Sequence, residues 1–242
     1  MTFIRLDNVT VRYPIFNARA TSIRHHLLNI GTGGRLSNDV GAVNVTALRD
    51  VTISIENGDR VGLIGHNGAG KSTLLRTLAG IYVPTKGTIE RRGRISTIFE
   101  VGAGLDPELS GYENIRRMGL LMGLSLAQMD AALPEIEELT ELGNFLALPV
   151  RTYSAGMTTR LMFAVATAVP PEILLVDEIL GAGDSSFQKR AQARIDRMIS
   201  SASIFVFASH SNELLRRHCN RFFELHHGVI TEVSSDVVSA LG

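Results

Sequence analysis

Residues 3–13, FIRLDNVTVRY, alternate apolar and polar side chains, the period of a strand with one face buried. The alternation ends at Pro14. Residues 14–46 carry Pro14, glycines and several asparagines, and they read as a loop around a short helix at Ser22–Asn29. Strand patterns resume in LRDVTISIE from Leu48 and in RVGLIG from Arg60. A helix is predicted over Lys71–Ala79 and a strand over Thr88–Glu90. Residues 111–148 change to helical apolar spacing with acidic faces and no β-branched runs. A helix over Ala155–Val169 leads into the apolar strand EILLVDE, a helix over Gln188–Ser200 into SIFVFASH, and RFFELHHGVITEV is strand-like again. Strands alternating with helices predict an α/β fold with a mostly parallel sheet.

Composition narrows the class. Hydrophobic residues are 45% of 242, enough for a substantial core. Lys+Arg and Asp+Glu both number 24, so no basic excess favours a nucleic acid, and none is expected as a partner. The single cysteine, Cys219, has no internal partner for a disulfide, which fits a reducing compartment, and its neighbours His218 and Asn220 make no metal cluster. The most apolar stretch, Leu161 to Val169, is stopped by Pro170 and Pro171. That is far short of the ~20 residues a membrane-spanning helix needs. Work at a membrane would require recruitment by another chain.

Residues 65–72, GHNGAGKS, have Gly65, Gly70, Lys71 and Ser72 at the positions of a phosphate-binding loop, between the strand RVGLI and a helix. Glycines let backbone N–H groups curl around phosphate oxygens, and the helix start adds its positive dipole end. The loop residues Gly65, His66, Asn67, Gly68, Ala69 and Gly70 would cradle the phosphates of a nucleotide, a pattern shared by kinases, GTPases and many ATPases. Lys71 would reach the β- and γ-phosphates, Ser72 would ligate Mg2+, and Thr73 extends the turn. In ILLVDE a buried strand ends in two carboxylates. Asp177 is suited to the magnesium shell, and Glu178 to orienting and deprotonating an attacking water.

Between these motifs lies Tyr153-Ser154-Ala155-Gly156-Met157, directly before a helix. Alone it is an ordinary N-cap. Placed between a phosphate loop and an acidic pair, it resembles the signature motif of ABC ATPases, and the resemblance covers nearly the whole chain. It implies an ABC ATPase core with an N-terminal antiparallel β portion and an inserted helical subdomain. The core would comprise residues 1–95 and 161–242, and the helical part about 96–160, within one ATPase domain. It implies that Ser154, Ala155 and Gly156 meet the γ-phosphate held by the other copy of a homodimer, and that Asp184 lies where the subunits touch. His210 matches the switch histidine that contacts the γ-phosphate. Glu100 stands where the family has a glutamine that reaches magnesium or water. Tyr13 matches the aromatic that stacks on adenine, with packing in the core as the alternative.

Three segments, YSAGMTTRL, FEVGAGLDPELSGYENI and DEILGAGDSSFQKR, depart from the common ABC pattern. Together they look like the ATPase subunits of bacterial polysaccharide exporters, which move O-antigen, capsule, teichoic acid or galactan chains on lipid carriers. This implies a polytopic permease partner, a lipid-linked polysaccharide reached through it, and a place on the cytoplasmic face of the membrane. The alternatives are a drug or lipid exporter subunit, or a non-transport ATP-driven clamp. After His210 the chain has 242 − 210 = 32 residues, and a separate glycan-binding sandwich of ~100 residues is not expected.

Overall fold

The computed structural model describes residues 1–15, 36–39, 42–98, 102, 104–177 and 185–240. In chain order the strands are β1 (Phe3–Ile15), β2 (Leu36–Asp39), β3 (Ala42–Glu56), β4 (Arg60–Ile64), β5 (Lys86–Arg92), β6 (Ile95–Thr97), β7 (Ile173–Asp177), β8 (Ile204–Ala208), β9 (Arg221–His226) and β10 (Val229–Val233). The helices are α1 (Lys71–Ala79), α2 (Gly111–Leu121), α3 (Leu126–Thr140), α4 (Ala155–Ala166), α5 (Ser185–Ser201), α6 (Asn212–His218) and α7 (Ser235–Ala240). They fall into two compact units, Met1–Gly93 with Val206–Gly242, and Arg94–Phe205. Among the described residues no helix is long and apolar enough to cross a membrane.

The first unit holds an antiparallel sheet in the order β2-β3-β1-β5. The alternation seen in residues 3–13 buries Ile4, Leu6, Val9 and Val11, facing the buried Val51, Ile53 and Ile55 of β3. The register between β1 and β3 shifts after Leu6. Asn8 and Asp50 take φ of 50° and 47° beside the shifts, a conformation that short polar side chains tolerate. Thr10 Oγ1 and Asp50 bond each other twice at 3.1 Å, closing the bulge. A Cβ on Gly87 would lie 2.4 Å from the carbonyl oxygens of Asp7 and Asn8, so β5 approaches this bulge as only glycine can.

The expectation that residues 14–46 form a loop needs correcting where they are described, at 14–15, 36–39 and 42–46. Pro14 and Ile15 continue β1, β2 pairs with β3 from Leu36↔Val45 to Asp39↔Ala42, and Val43–Val45 pair with Tyr13–Ile15. The side-chain pattern there is irregular, and the strands form because paired main-chain groups satisfy one another. The helix expected at Ser22–Asn29 lies outside the described residues.

In the same unit β4 runs parallel to β9, from Val61↔Arg221 to Ile64↔Glu224, and β9 turns back into β10. The turn is His227-Gly228, with φ of 50° and 81°, the two-residue geometry that matches strand twist.

The second unit contains the parallel pair β6–β7 and helices α2 to α5. Ile173 to Val176 are at most 1% exposed. Each such side chain stabilises the unit by about 1.5–3 kcal/mol, which holds the strand end that presents Asp177. Ser110 and Ser125 open α2 and α3 with capping boxes to Glu113 and Gln128. Arg194 of α5, 7% exposed, donates to the carbonyls of Thr167 and Ala168 beyond the end of α4 and pairs with Glu135 of α3. It thereby ties three helices together. The fold is the expected α/β arrangement, with the antiparallel portion at the N-terminus and helices between β6 and β7.

Candidate functional site

The loop between β4 and α1 has the geometry its composition calls for. Gly65, Gly68 and Gly70 have φ of 147°, 78° and 120°. A Cβ on Gly65 would stand 2.4 Å from Leu225 O, and one on Gly70 2.8 Å from Ala47 O. Both positions therefore need glycine twice, for conformation and for space. Gly70 caps α1 without a side chain, so the N–H groups of the first turn face the loop's interior. Lys71 is buried at 7% exposure, and its Nζ donates to Gly65 O at 2.5 Å and to His66 O at 3.3 Å. The ammonium is thus held over the mouth of the loop, where phosphate oxygens would be its natural acceptors. Ser72 and Thr73 follow in the first turn of α1.

Tyr13 comes from β1 to the same place. Its hydroxyl donates to Thr73 Oγ1 at 3.2 Å, and its ring packs edge-on against Tyr82 at 5.4 Å between centroids. Burial pushes its phenol up, so it stays protonated and can donate. His210 is exposed in the turn after β8, in the same unit, ahead of α6, which Ser211 caps.

The second unit carries the other elements. Ser154 caps α4, accepting from Met157 N at 3.2 Å, and Ser154, Ala155 and Gly156 are exposed. The N-cap reading and the signature reading are compatible, since a capped and open helix start is also an anion site. Beside it lies a cavity of about 340 Å³ lined by Ser154, Gly156, Met157, Phe145 and Arg160. Tyr153 donates its hydroxyl to Phe145 O at 2.7 Å, fixing the chain just before the cap. Asp177 ends β7, half-buried. Glu100, Glu178 and Asp184 lie outside the described residues.

Reading along the chain misses two features. Tyr82 pairs with Tyr13 from far along the chain, and His226 and His227 lie against His66. No periodicity marks either; the dipeptide His227-Gly228 signals only a turn. Cys219 is consistent with a structural role: burial pushes its thiol up to about 12, so it stays protonated.

Comparison with known proteins identifies the family. Residues 48–181 match the family model described as ABC transporter. The chain is 56% identical to the O-antigen export system ATP-binding protein RfbE of Yersinia enterocolitica, over 98% of this chain and 100% of that one. It is 35% identical to the teichoic acids export ATP-binding protein TagH of Levilactobacillus brevis, over 96% of this chain and 62% of that one. A solved structure of a dimeric ATP-binding cassette, in a post-hydrolysis state with ADP and Pi, superposes with a TM-score of 0.66 at 22% identity. The match covers 96% of this chain and 98% of that one, and it shows the shared fold. The chain belongs to the ABC transporter family, among the ATP-binding proteins of O-antigen and teichoic acid export systems.

Proposed function

We propose that this chain is the ATP-hydrolysing subunit of an exporter of a lipid-linked polysaccharide, working as a homodimer on a separate polytopic permease at the cytoplasmic face of the membrane. The observation that carries the reading is the end-to-end 56% identity with an O-antigen export ATP-binding protein. Loop geometry at residues 65–72 supports the chemistry. Backbone N–H groups of the loop and Lys71 bind the phosphates, and Tyr13 offers a ring for the base. Ser154 and the start of α4 receive the γ-phosphate of the partner copy's nucleotide. Asp184 lies at the contact between copies, and His210 steadies the γ-phosphate.

The donors Ser72, Asp177 and Glu100 are hard oxygens, the set that suits Mg2+. When bound, that ion neutralises phosphate charge. Glu178 takes the proton of the attacking water.

Two experiments test this. Expressed in a Yersinia enterocolitica strain lacking RfbE, the chain is expected to restore surface O-antigen, and its Lys71→Ala variant is not. Surface polysaccharide unrestored by a well-expressed chain would count against this substrate class. In purified protein, Ser154→Arg is expected to leave the nucleotide Kd within about threefold, because Ser154 touches only the partner's nucleotide. ATP-dependent dimers should disappear from gel filtration, since a long cation then occupies the interface. Normal dimers with ATP in this variant would place Ser154 away from the nucleotide.

A further inference from the structure

The turn between β9 and β10 brings a second set of ligating groups to the edge of the phosphate loop. His66, His226 and His227 each present a ring nitrogen, and these atoms lie within 4.8 Å of one another. The ring centroids are 4.3 Å apart for His226 and His227, 5.2 Å for His66 and His227, and 5.6 Å for His66 and His226. His66 is far from the other two in sequence, so folding alone assembles the group. Adjacent residues of a regular strand would point to opposite faces. His227 has φ of 50°, which breaks that alternation and lets both histidines face His66.

The frame beneath is fixed by main-chain bonds. Gly228 N donates to Ala69 O at 2.9 Å, Arg49 N to Gly228 O at 2.8 Å, and Ala69 N to His66 O at 3.0 Å. A Cβ on Gly228 would stand 2.6 Å from Ala47 O, so the turn is pressed against β3 beside the loop. The tautomer of His66 is also set. Its Nδ1 lies 2.8 Å from Asn67 O, and a carbonyl can only accept, so in the neutral ring Nδ1 carries the proton and Nε2 keeps its lone pair. A ring N–H given to a carbonyl while the other nitrogen stays open is the usual support of a metal-bound histidine.

We propose that His66, His226 and His227 form a three-histidine site for a borderline transition-metal ion of the Zn2+ class, attached to the phosphate loop. Three neutral imidazoles favour Zn2+, Cu2+ or Ni2+ over the oxygen-seeking Mg2+. Metal–nitrogen bonds of about 2.0–2.1 Å bring tetrahedral ligands to roughly 3.3 Å from one another. The three nitrogens, within 4.8 Å of one another, would close to this spacing on binding, and His66 and His226 are exposed and half-buried His227 borders them. A solvent water completes the coordination. The ion would join β4's loop to the β9–β10 turn through side chains, next to the carbonyls that hold Lys71. The site shares no residue with the set proposed for Mg2+ and goes beyond the nucleotide reading.

The test is a Zn2+ titration of the full chain without nucleotide, against a chromogenic chelator. One high-affinity ion per chain is expected. The double variant His226→Asn/His227→Asn should weaken it by at least about a hundredfold. Asparagine is chosen because it tolerates the positive φ at 227. An unchanged melting curve and unchanged ATP binding check that the loop stays folded. Neither residue has a part in ATP binding, so failure here leaves that reading standing. On the unmutated protein, pulsed EPR of one bound Cu2+ should count three imidazoles. Wild-type zinc affinity in the double variant, no stoichiometric zinc in the parent, or fewer than three copper-bound imidazoles would each overturn the proposal.

Discussion

Lys71→Ala is expected to weaken ATP binding by about 10²–10⁴-fold, with hydrolysis lost in consequence. The side chain is buried, and its ammonium bonds the carbonyls of Gly65 and His66 across the mouth of the loop. Phosphate oxygens would take over those bonds as charge-assisted ones. Each is worth about 1.5–3 kcal/mol, and losing two gives the range stated. The glycines and the start of α1 remain, so some backbone affinity for phosphate persists. Equilibrium titration with a fluorescent ATP analogue measures the effect, with thermal melting as the check on folding. A Kd within a few-fold of the parent would remove Lys71 from the phosphate site.

Glu178→Gln is expected to slow turnover by about 10²–10⁴-fold, the usual contribution of a positioned general base, while ATP still binds. Glu178 follows directly on Asp177, which the buried residues Ile173 to Val176 hold at the end of β7. The amide keeps the size of the carboxylate and loses its capacity to take a proton from water. Reopening of the dimer then waits on a slow step. Gel filtration with ATP should show an accumulated dimer that the parent protein does not maintain. Steady-state phosphate release and this elution shift together separate a missing base from a misfolded site. Near-parental turnover would assign proton removal to another group.

Legibility in the sequence followed how local each feature is. The phosphate loop is eight consecutive residues whose glycines perform their roles at their own positions, and α1 spans Lys71–Ala79 as its pattern predicts. The Ser154 cap and the apolar strand before Asp177 are equally local. The pairing of β2 and β3 was not legible, because it rests on main-chain bonds to β1 and not on side-chain alternation. Helix α6 is seven residues long, too short to display a period, and is announced only by its Ser211 cap. The histidine trio has no sequence signature at all. It exists because the parallel pairing of β4 with β9 carries two distant segments to the same end of neighbouring strands.

The stretch before α2 is joined to the stretch before α4 as a beam is bolted to a plate. Val150 N bonds Leu109 O, Arg151 N bonds Pro107 O, and Ser110 bridges Pro149. Asn114, fully buried, pins the beam from within through bonds to Asp106, Leu109 and Ser110. A load applied to residues 105–110 therefore has little room to be absorbed as local bending. It is delivered to residues 149–153, and so to the serine that begins α4. Residues 105–110 and the part that would touch a partner's nucleotide are, mechanically, two ends of one lever arm.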